Sequence, residues 1–391
     1  MRYDFDKYIE RRGTDSVKHD LNGAIFGTDE LLPLWVADMD FEVPDFIREA
    51  VIERANHPVY GYTFRPGRFF EAAASWMHRR HGWEISPDTF SFSPGIVPAL
   101  NMIVMEFTEP GDRIVVQPPV YFPFFNAITN HRRELVNNQL VERDGTYEMD
   151  LDHLEQQFRE GAKMLFLCHP HNPVGRAWTR EELEKLARLC VRYKVLVISD
   201  EIHSDLVLFG NKHIPLATLG KEVADLTFTC VAPSKTFNLA GLYTSAVITT
   251  NPKLKKGYDR ILDAVHVGGG SLFGQVAFEA AYTHGDAWLD QLVAYLEQNY
   301  KKLCEIVVAE VPGMMISPLE ATYLVWLDLS FLGRSDQELK RFVIEEAGLG
   351  LIDGPMFGPG GEQHQRINIA TSFKVLEKGL YQLAAAAAGY R

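Results

Sequence analysis

At 391 residues the chain is long enough for two compact units with substantial cores, and a composition of 46% hydrophobic and 23% charged residues is that of an ordinary globular protein. A formal charge of −13 argues against nucleic acid or an anionic membrane surface as the main partner, although a local pocket can still be basic. The amino terminus carries Arg2, Asp4, Asp6 and Lys7 in place of an apolar leader, and no apolar run reaches the roughly 18 residues of a membrane span, so a cytoplasmic location is expected.

The first chemically suggestive element is Ser93-Pro-Gly-Ile-Val97, ahead of an apolar-periodic helix. Gly95 lets the backbone approach a ligand closely, and the N–H groups of the first helical turn can bind a phosphate, although most such turns only reverse the chain. Arg113–Gln117, Lys163–Cys168, Val195–Ser199, Leu226–Val231 and Ala246–Thr250 are short β-branched or apolar runs of the kind buried in a largely parallel sheet. Helical patterns alternate with them. The clearest, Thr179–Tyr193, opens on a Thr179 and Glu182 capping-box pair. This alternation predicts a large α/β domain over residues 45–285, with residues 1–44 as an N-terminal segment that joins a second, smaller domain.

That smaller domain is expected over residues 286–391 and reads as α+β. A long helical pattern from Asp286 to about Glu310 leads to strand-like Ala321–Leu329. A helix opens at Ser335, with Glu338 three residues on, and Arg366–Ala370 looks like a strand before an alanine-rich final helix. The four cysteines, Cys168, Cys190, Cys230 and Cys304, lack C-x-x-C spacing and sit in apolar contexts. They are expected to be buried free thiols, neither a metal site nor a disulfide framework.

In open parallel sheets, ligands bind beyond the carboxyl ends of the strands, and Asn172, Asp200 and Lys235 each closely follow a different predicted strand. Taken singly, Lys235 reads as a surface lysine and Asp200 as a turn aspartate. Together they supply what a pyridoxal phosphate enzyme needs: an amine that forms a Schiff base with the cofactor aldehyde, and an acid that keeps the pyridine nitrogen protonated.

Six strings extend this pattern: Leu34-Trp-Val-Ala-Asp-Met-Asp-Phe41, Tyr60-Gly-Tyr-Thr63, Pro119-Val-Tyr-Phe-Pro-Phe124, Pro170-His-Asn-Pro-Val-Gly175, Ser199-Asp-Glu-Ile-His203 and Ala232-Pro-Ser-Lys-Thr-Phe-Asn238. In this order they resemble the fold-type I pyridoxal phosphate enzymes of the class I/II aminotransferase family over nearly the whole chain. Within it the nearest resemblance is to the MalY/PatB group of cystathionine β-lyases, carbon–sulfur lyases that include cystalysin. The resemblance implies that Lys235 is the Schiff-base lysine and the base for the Cα proton, and that Asp200 pairs with the pyridine nitrogen. It places Asn172 and His203 near the ring oxygen and Tyr121 on the cofactor face as a further catalytic residue. Gly95, Ile96, Val97 and Ser234 would hold the phosphate, and Tyr62 would reach the phosphate of a neighbouring subunit in a homodimer. Arg366 would clamp the substrate carboxylate beside Val36 and Ala37.

Two positions depart from the family pattern. Tyr243 stands where many aminotransferases carry a phosphate-binding basic residue, and His169 stands where a small or amide residue is common. The implied reaction is αβ-elimination on L-cystathionine or a related cysteine conjugate, giving a thiol, pyruvate and ammonia. One rival is an aminotransferase with the same central residues, and another is a regulatory partner-binding protein that has kept the fold.

Overall fold

The computed structural model describes residues 2–390. Its centre is a seven-stranded sheet made of β1 (Phe90–Ser93), β2 (Arg113–Val116), β3 (Glu134–Asn137), β4 (Met164–Cys168), β5 (Leu196–Asp200), β6 (Thr227–Val231) and β7 (Ser245–Ile248), in the order β1-β7-β6-β5-β4-β2-β3. β4, β5, β6 and β7 are wholly or almost wholly buried, which matches runs without period-two alternation. The sheet is largely parallel, as expected, and the exception is β7, which runs antiparallel to both β1 and β6. The sequence reading had also passed over β1 and β3.

Helices cover both faces. They include α1 (Gly67–His81), α2 (Ile96–Phe107), α3 (Arg180–Tyr193) and the single turn α4 (Pro233–Thr236). The Thr179 hydroxyl accepts from the Glu182 amide while the Glu182 carboxylate accepts from the Thr179 amide, so the expected capping box is present. Beyond this sheet come the long helix α5 (Asp286–Glu310) and a four-stranded sheet of β8 (Met315–Ile316), β9 (Leu324–Asp328), β10 (Ile352–Asp353) and β11 (His364–Asn368), in the order β8-β9-β11-β10. The final helix is α6 (Phe373–Ala387), whose buried face of Leu376, Gly379, Leu380, Leu383, Ala384 and Ala387 follows the three-and-four spacing of a helix.

The N-terminal segment pairs with the distal part of the chain. Leu32 and Pro33 lie parallel to Leu349 and Gly350, and the Asn368 amide donates to the Leu34 carbonyl at 2.9 Å. Residues of both sheets, including Ile198, Phe228, Leu324 and Ile367, belong to one continuous apolar core. Three cysteines are buried as expected, and Cys304 is a correction, being only partly buried on α5. Among the described residues no helix is long and apolar enough to cross a membrane.

Candidate active site

The register pairs Cys168 with Asp200 and Asp200 with Cys230, so the neighbouring strands β4, β5 and β6 end nearly level. Asn172 follows β4 by four residues, Asp200 is the last residue of β5, and Lys235 sits on α4, four residues beyond β6. A cavity of about 460 Å³ opens over these ends. It is lined by every candidate cofactor- or substrate-binding residue except Tyr62: Val36, Ala37, Gly95, Ile96, Val97, Tyr121, Asn172, Asp200, His203, Ser234, Lys235 and Arg366. Tyr62 is fully exposed and outside the cavity, in a stretch where Val59, Tyr60 and Phe64 are also exposed.

Lys235 Nζ donates to the Ala37 carbonyl at 2.7 Å, and the Tyr323 hydroxyl donates to the same oxygen at 2.9 Å. Burial, then the nearby Arg366 cation, brings the amine down to about 8, so a substantial neutral fraction exists near physiological pH. Asp200 is pushed the other way, to about 7, chiefly by burial; its carboxylate accepts only the 3.2 Å bond from the Ile202 amide. Such a carboxylate is poised to gain from a cationic partner within the cavity.

Arg366 is buried on β11. It donates from Nη1 to Asn172 Oδ1 at 3.0 Å and from Nη2 to the Trp35 carbonyl at 2.9 Å, and burial lowers it to about 10. Since guanidinium has donors only, the Asn172 oxygen must face Arg366, which turns the Asn172 NH2 group toward other partners. Arg366 keeps three of its five N–H donors, among them Nε, which is buried without a protein partner. The edge formed by Nε and Nη2 matches a carboxylate.

Buried polar atoms without protein partners also test whether a cofactor fits. His203 Nδ1, Thr244 Oγ1 and Arg366 Nε all belong to residues lining the cavity. Burial, with Lys235 and Arg366 adding to it, drives His203 far below its ordinary value, so the ring is neutral and can donate or accept. Tyr121 is half-buried with its hydroxyl pushed up to about 12 by burial and then by Asp200, hence uncharged. At the opposite wall, Gly95 caps α2, and Ile96 and Val97 form its first turn ahead of the first helical bond, Ala99 N–H to Gly95 carbonyl at 3.2 Å. The φ of Gly95 is extended at 171°, so its backbone shape is open to other residues, and its contribution is an amide at a helix entrance. Among the described residues, Lys235 and Arg366 are the only lysine or arginine in the lining. A phosphate seated at the α2 entrance would therefore rely on amides and on hydroxyls such as Ser234 and Thr244. The set fits pyridoxal phosphate.

Sequence reasoning missed Thr244, Trp35 and Tyr323. Thr244 follows Tyr243, the position where a basic residue had been sought. Tyr243 itself is exposed, has a left-handed φ of 48° and lines the cavity mouth. The His169 ring lies 4.4 Å from that of His213, and its Nε2 pairs with the Ile214 carbonyl at 3.0 Å, outside the cavity.

The family described as aminotransferase class I and II matches residues 29–382. Cystathionine beta-lyase PatB of Bacillus subtilis (strain 168) is 45% identical over 98% of this chain and 99% of its own length. Protein MalY of Escherichia coli (strain K12) is 32% identical over 97% of each. Cystalysin from Treponema denticola, whose crystal structure contains a pyridoxal 5'-phosphate cofactor, superposes with a TM-score of 0.96 at 34% identity, covering 100% of both chains. The pyridoxal phosphate-bound C-S lyase from Staphylococcus hominis gives 0.91 at 35% identity, covering 99% of this chain and 98% of that one.

Proposed function

The chain belongs to the class I and II aminotransferase family, and from that premise we propose that it is a pyridoxal phosphate-dependent carbon–sulfur β-lyase that releases a thiol, pyruvate and ammonia from L-cystathionine or a related cysteine S-conjugate. The carrying observation is the convergence of a partly buried lysine, a buried carboxylate and a buried arginine with free donors in one cavity, within a chain similar over its full length to a cystathionine beta-lyase.

Bound pyridoxal phosphate supplies an electron sink that makes the substrate Cα proton acidic. The protein does the rest. Lys235, neutral in part because it is buried, holds the cofactor and takes the Cα proton. Asp200, whose charge is costly where it is buried, would face a protonated pyridine nitrogen. Asn172 is oriented by Arg366 so that its NH2 group would donate toward the ring oxygen, with the neutral His203 nearby. Tyr121 would stack on the cofactor face, and Ser234 with the amides of Gly95, Ile96 and Val97 would hold the phosphate. Trp35, Val36, Ala37, Phe122 and Ile352 give the leaving group an apolar surround, and among the described residues the lining holds no lysine or arginine besides Lys235 and Arg366 to meet a distal carboxylate. Conjugates whose leaving thiol lacks the charged groups of homocysteine therefore fit the same surround.

The test is to incubate the loaded protein with L-cystathionine and follow thiol and pyruvate, with and without a 2-oxo acid. Equal thiol and pyruvate, independent of the oxo acid, is expected. Amino transfer that requires the oxo acid and releases no thiol would make it an aminotransferase.

Arg366→Lys should raise KM for the amino acid by about tenfold to a hundredfold, the worth of one lost charge-assisted hydrogen bond of a bidentate pair, with kcat changed less. An unchanged KM would remove Arg366 from the clamp.

The active form is a homodimer, with Tyr62 completing the phosphate site of the partner, and the protein acts in the cytoplasm. Support for the dimer comes from the exposed aromatic run of Tyr60, Tyr62 and Phe64, together with exposed Tyr243 at the cavity mouth. Sedimentation should give twice the monomer mass, and Tyr62→Ala should release cofactor faster. A fully loaded, active monomer would overturn this assignment. A division into residues 45–285 and 286–391, with 1–44 joining the latter, is supported by the separate sheets, and on it the Arg366–Asn172 hydrogen bond at 3.0 Å would join the two units at the cavity.

A further inference from the structure

We propose that Asp205 is a positioning residue, which through the Thr236 hydroxyl locks the turn bearing Lys235 to the turn bearing Asp200 and His203. Asp205 is buried and does not line the cavity. One carboxylate oxygen, Oδ1, accepts from Trp76 Nε1 and pairs with His81 Nε2, each at 2.9 Å; the other, Oδ2, accepts from Thr236 Oγ1 at 2.7 Å. Burial alone would raise this carboxyl, but His81, Thr236 and Trp76 together hold it below its ordinary value, so it is a buried anion. None of these three partners belongs to the cavity lining.

The placement of the bonds gives the anion its use. Thr236 is the neighbour of Lys235 on the single turn α4, which is too short to hold an orientation by its own hydrogen bonds. Asp205 lies on the turn that follows β5, tightened by Ser204 N–H to the Glu201 carbonyl at 3.0 Å and Leu206 N–H to the His203 carbonyl at 2.9 Å. Asp200, His203 and Asp205 thus move as one unit, and the Thr236 hydroxyl is a direct tie from the lysine turn to it. On its other side the unit is braced against α1 by Trp76 and by His81, the last residue of that helix. The distance between the amine and the acid of the site is thereby fixed by groups that touch neither substrate nor cofactor. A charged acceptor suits this task because charge-assisted bonds are shorter and stiffer than neutral ones.

This inference rests on the cofactor reading above, and its readouts do not need turnover. Thr236→Val removes the hydroxyl at constant shape, Thr236→Ser keeps it, and His81→Gln loosens the brace while leaving Thr236 in place. In Thr236→Val, growth of the visible band on adding pyridoxal phosphate to cofactor-free protein should slow by about tenfold to a hundredfold, the scale of a misplaced reacting group, and Thr236→Ser should stay within about twofold of the parent. The midpoint of the band's pH titration, which reports the Lys235 proton, should shift in Thr236→Val and hold in Thr236→Ser. Capture rates and midpoints equal to the parent in both Thr236→Val and His81→Gln would overturn the role, even with a lowered melting temperature. Should Thr236→Val not fold, His81→Gln decides by the same two readouts. A parent protein that forms no visible band overturns the cofactor reading and this inference together, whereas a parent band unchanged in the variants overturns this inference alone.

Discussion

Lys235→Ala is expected to abolish the visible band of the pyridoxal phosphate-loaded protein and to lower thiol release from L-cystathionine by at least the 10²–10⁴-fold typical of a lost general base, roughly. The reasoning begins with position. Lys235 Nζ reaches the cavity from α4 and is held by the Ala37 carbonyl at 2.7 Å, a bond that any ammonium could make and that leaves the amine free to swing when a ligand displaces it. Burial lowers it to about 8, which makes it a nucleophile and a base near neutral pH. Alanine removes both the covalent anchor and the base at once, so cofactor retention and turnover should fall together. Small primary amines added to the variant should restore part of the turnover but not the anchor. A band and a rate equal to the parent would show that another group holds the cofactor.

Legibility in the sequence followed the strength of the local physics. Strands β4 to β6 were readable because complete burial in a parallel sheet demands unbroken apolar runs, and their ends then carried Asn172, Asp200 and Lys235 to one place. Capping boxes at Thr179 and Ser335 were readable because both partners lie three residues apart. The antiparallel sense of β7 was not, since a fully buried strand looks alike in either direction. Thr244, Tyr323 and Trp35 escaped because their value depends on contacts made across the fold, such as the Tyr323 hydroxyl meeting Ala37 across 286 positions. Asp205 escaped for the same reason: its three partners come from α1 and α4, and a carboxylate near a turn carries no local mark of burial.

Asp200→Asn should lower kcat by on the order of 10²–10³, the cost of removing one preorganised electrostatic partner of the developing charge. Shape is nearly conserved, so this variant separates charge from packing, and the pH dependence of stability supplies an independent check. In the cofactor-free protein Asp200 is raised from 3.8 to about 7, chiefly by burial. Across that window the folded state holds a proton that the unfolded state has released. The contribution of Asp200 to stability therefore falls as pH rises from about 4 to about 7. Asparagine has no proton to lose. The melting temperature of cofactor-free Asp200→Asn, relative to the parent, should thus climb between about pH 4 and about pH 7. Lys235 contributes in the other sense and in a later window: lowered from 10.5 to about 8, it makes stability rise over that higher interval, and it does so in parent and variant alike. A relative melting temperature that is flat with pH would mean that Asp200 is charged in the cofactor-free protein without penalty. Its pairing with a pyridine nitrogen would then lack the driving force argued from burial, whatever happened to kcat.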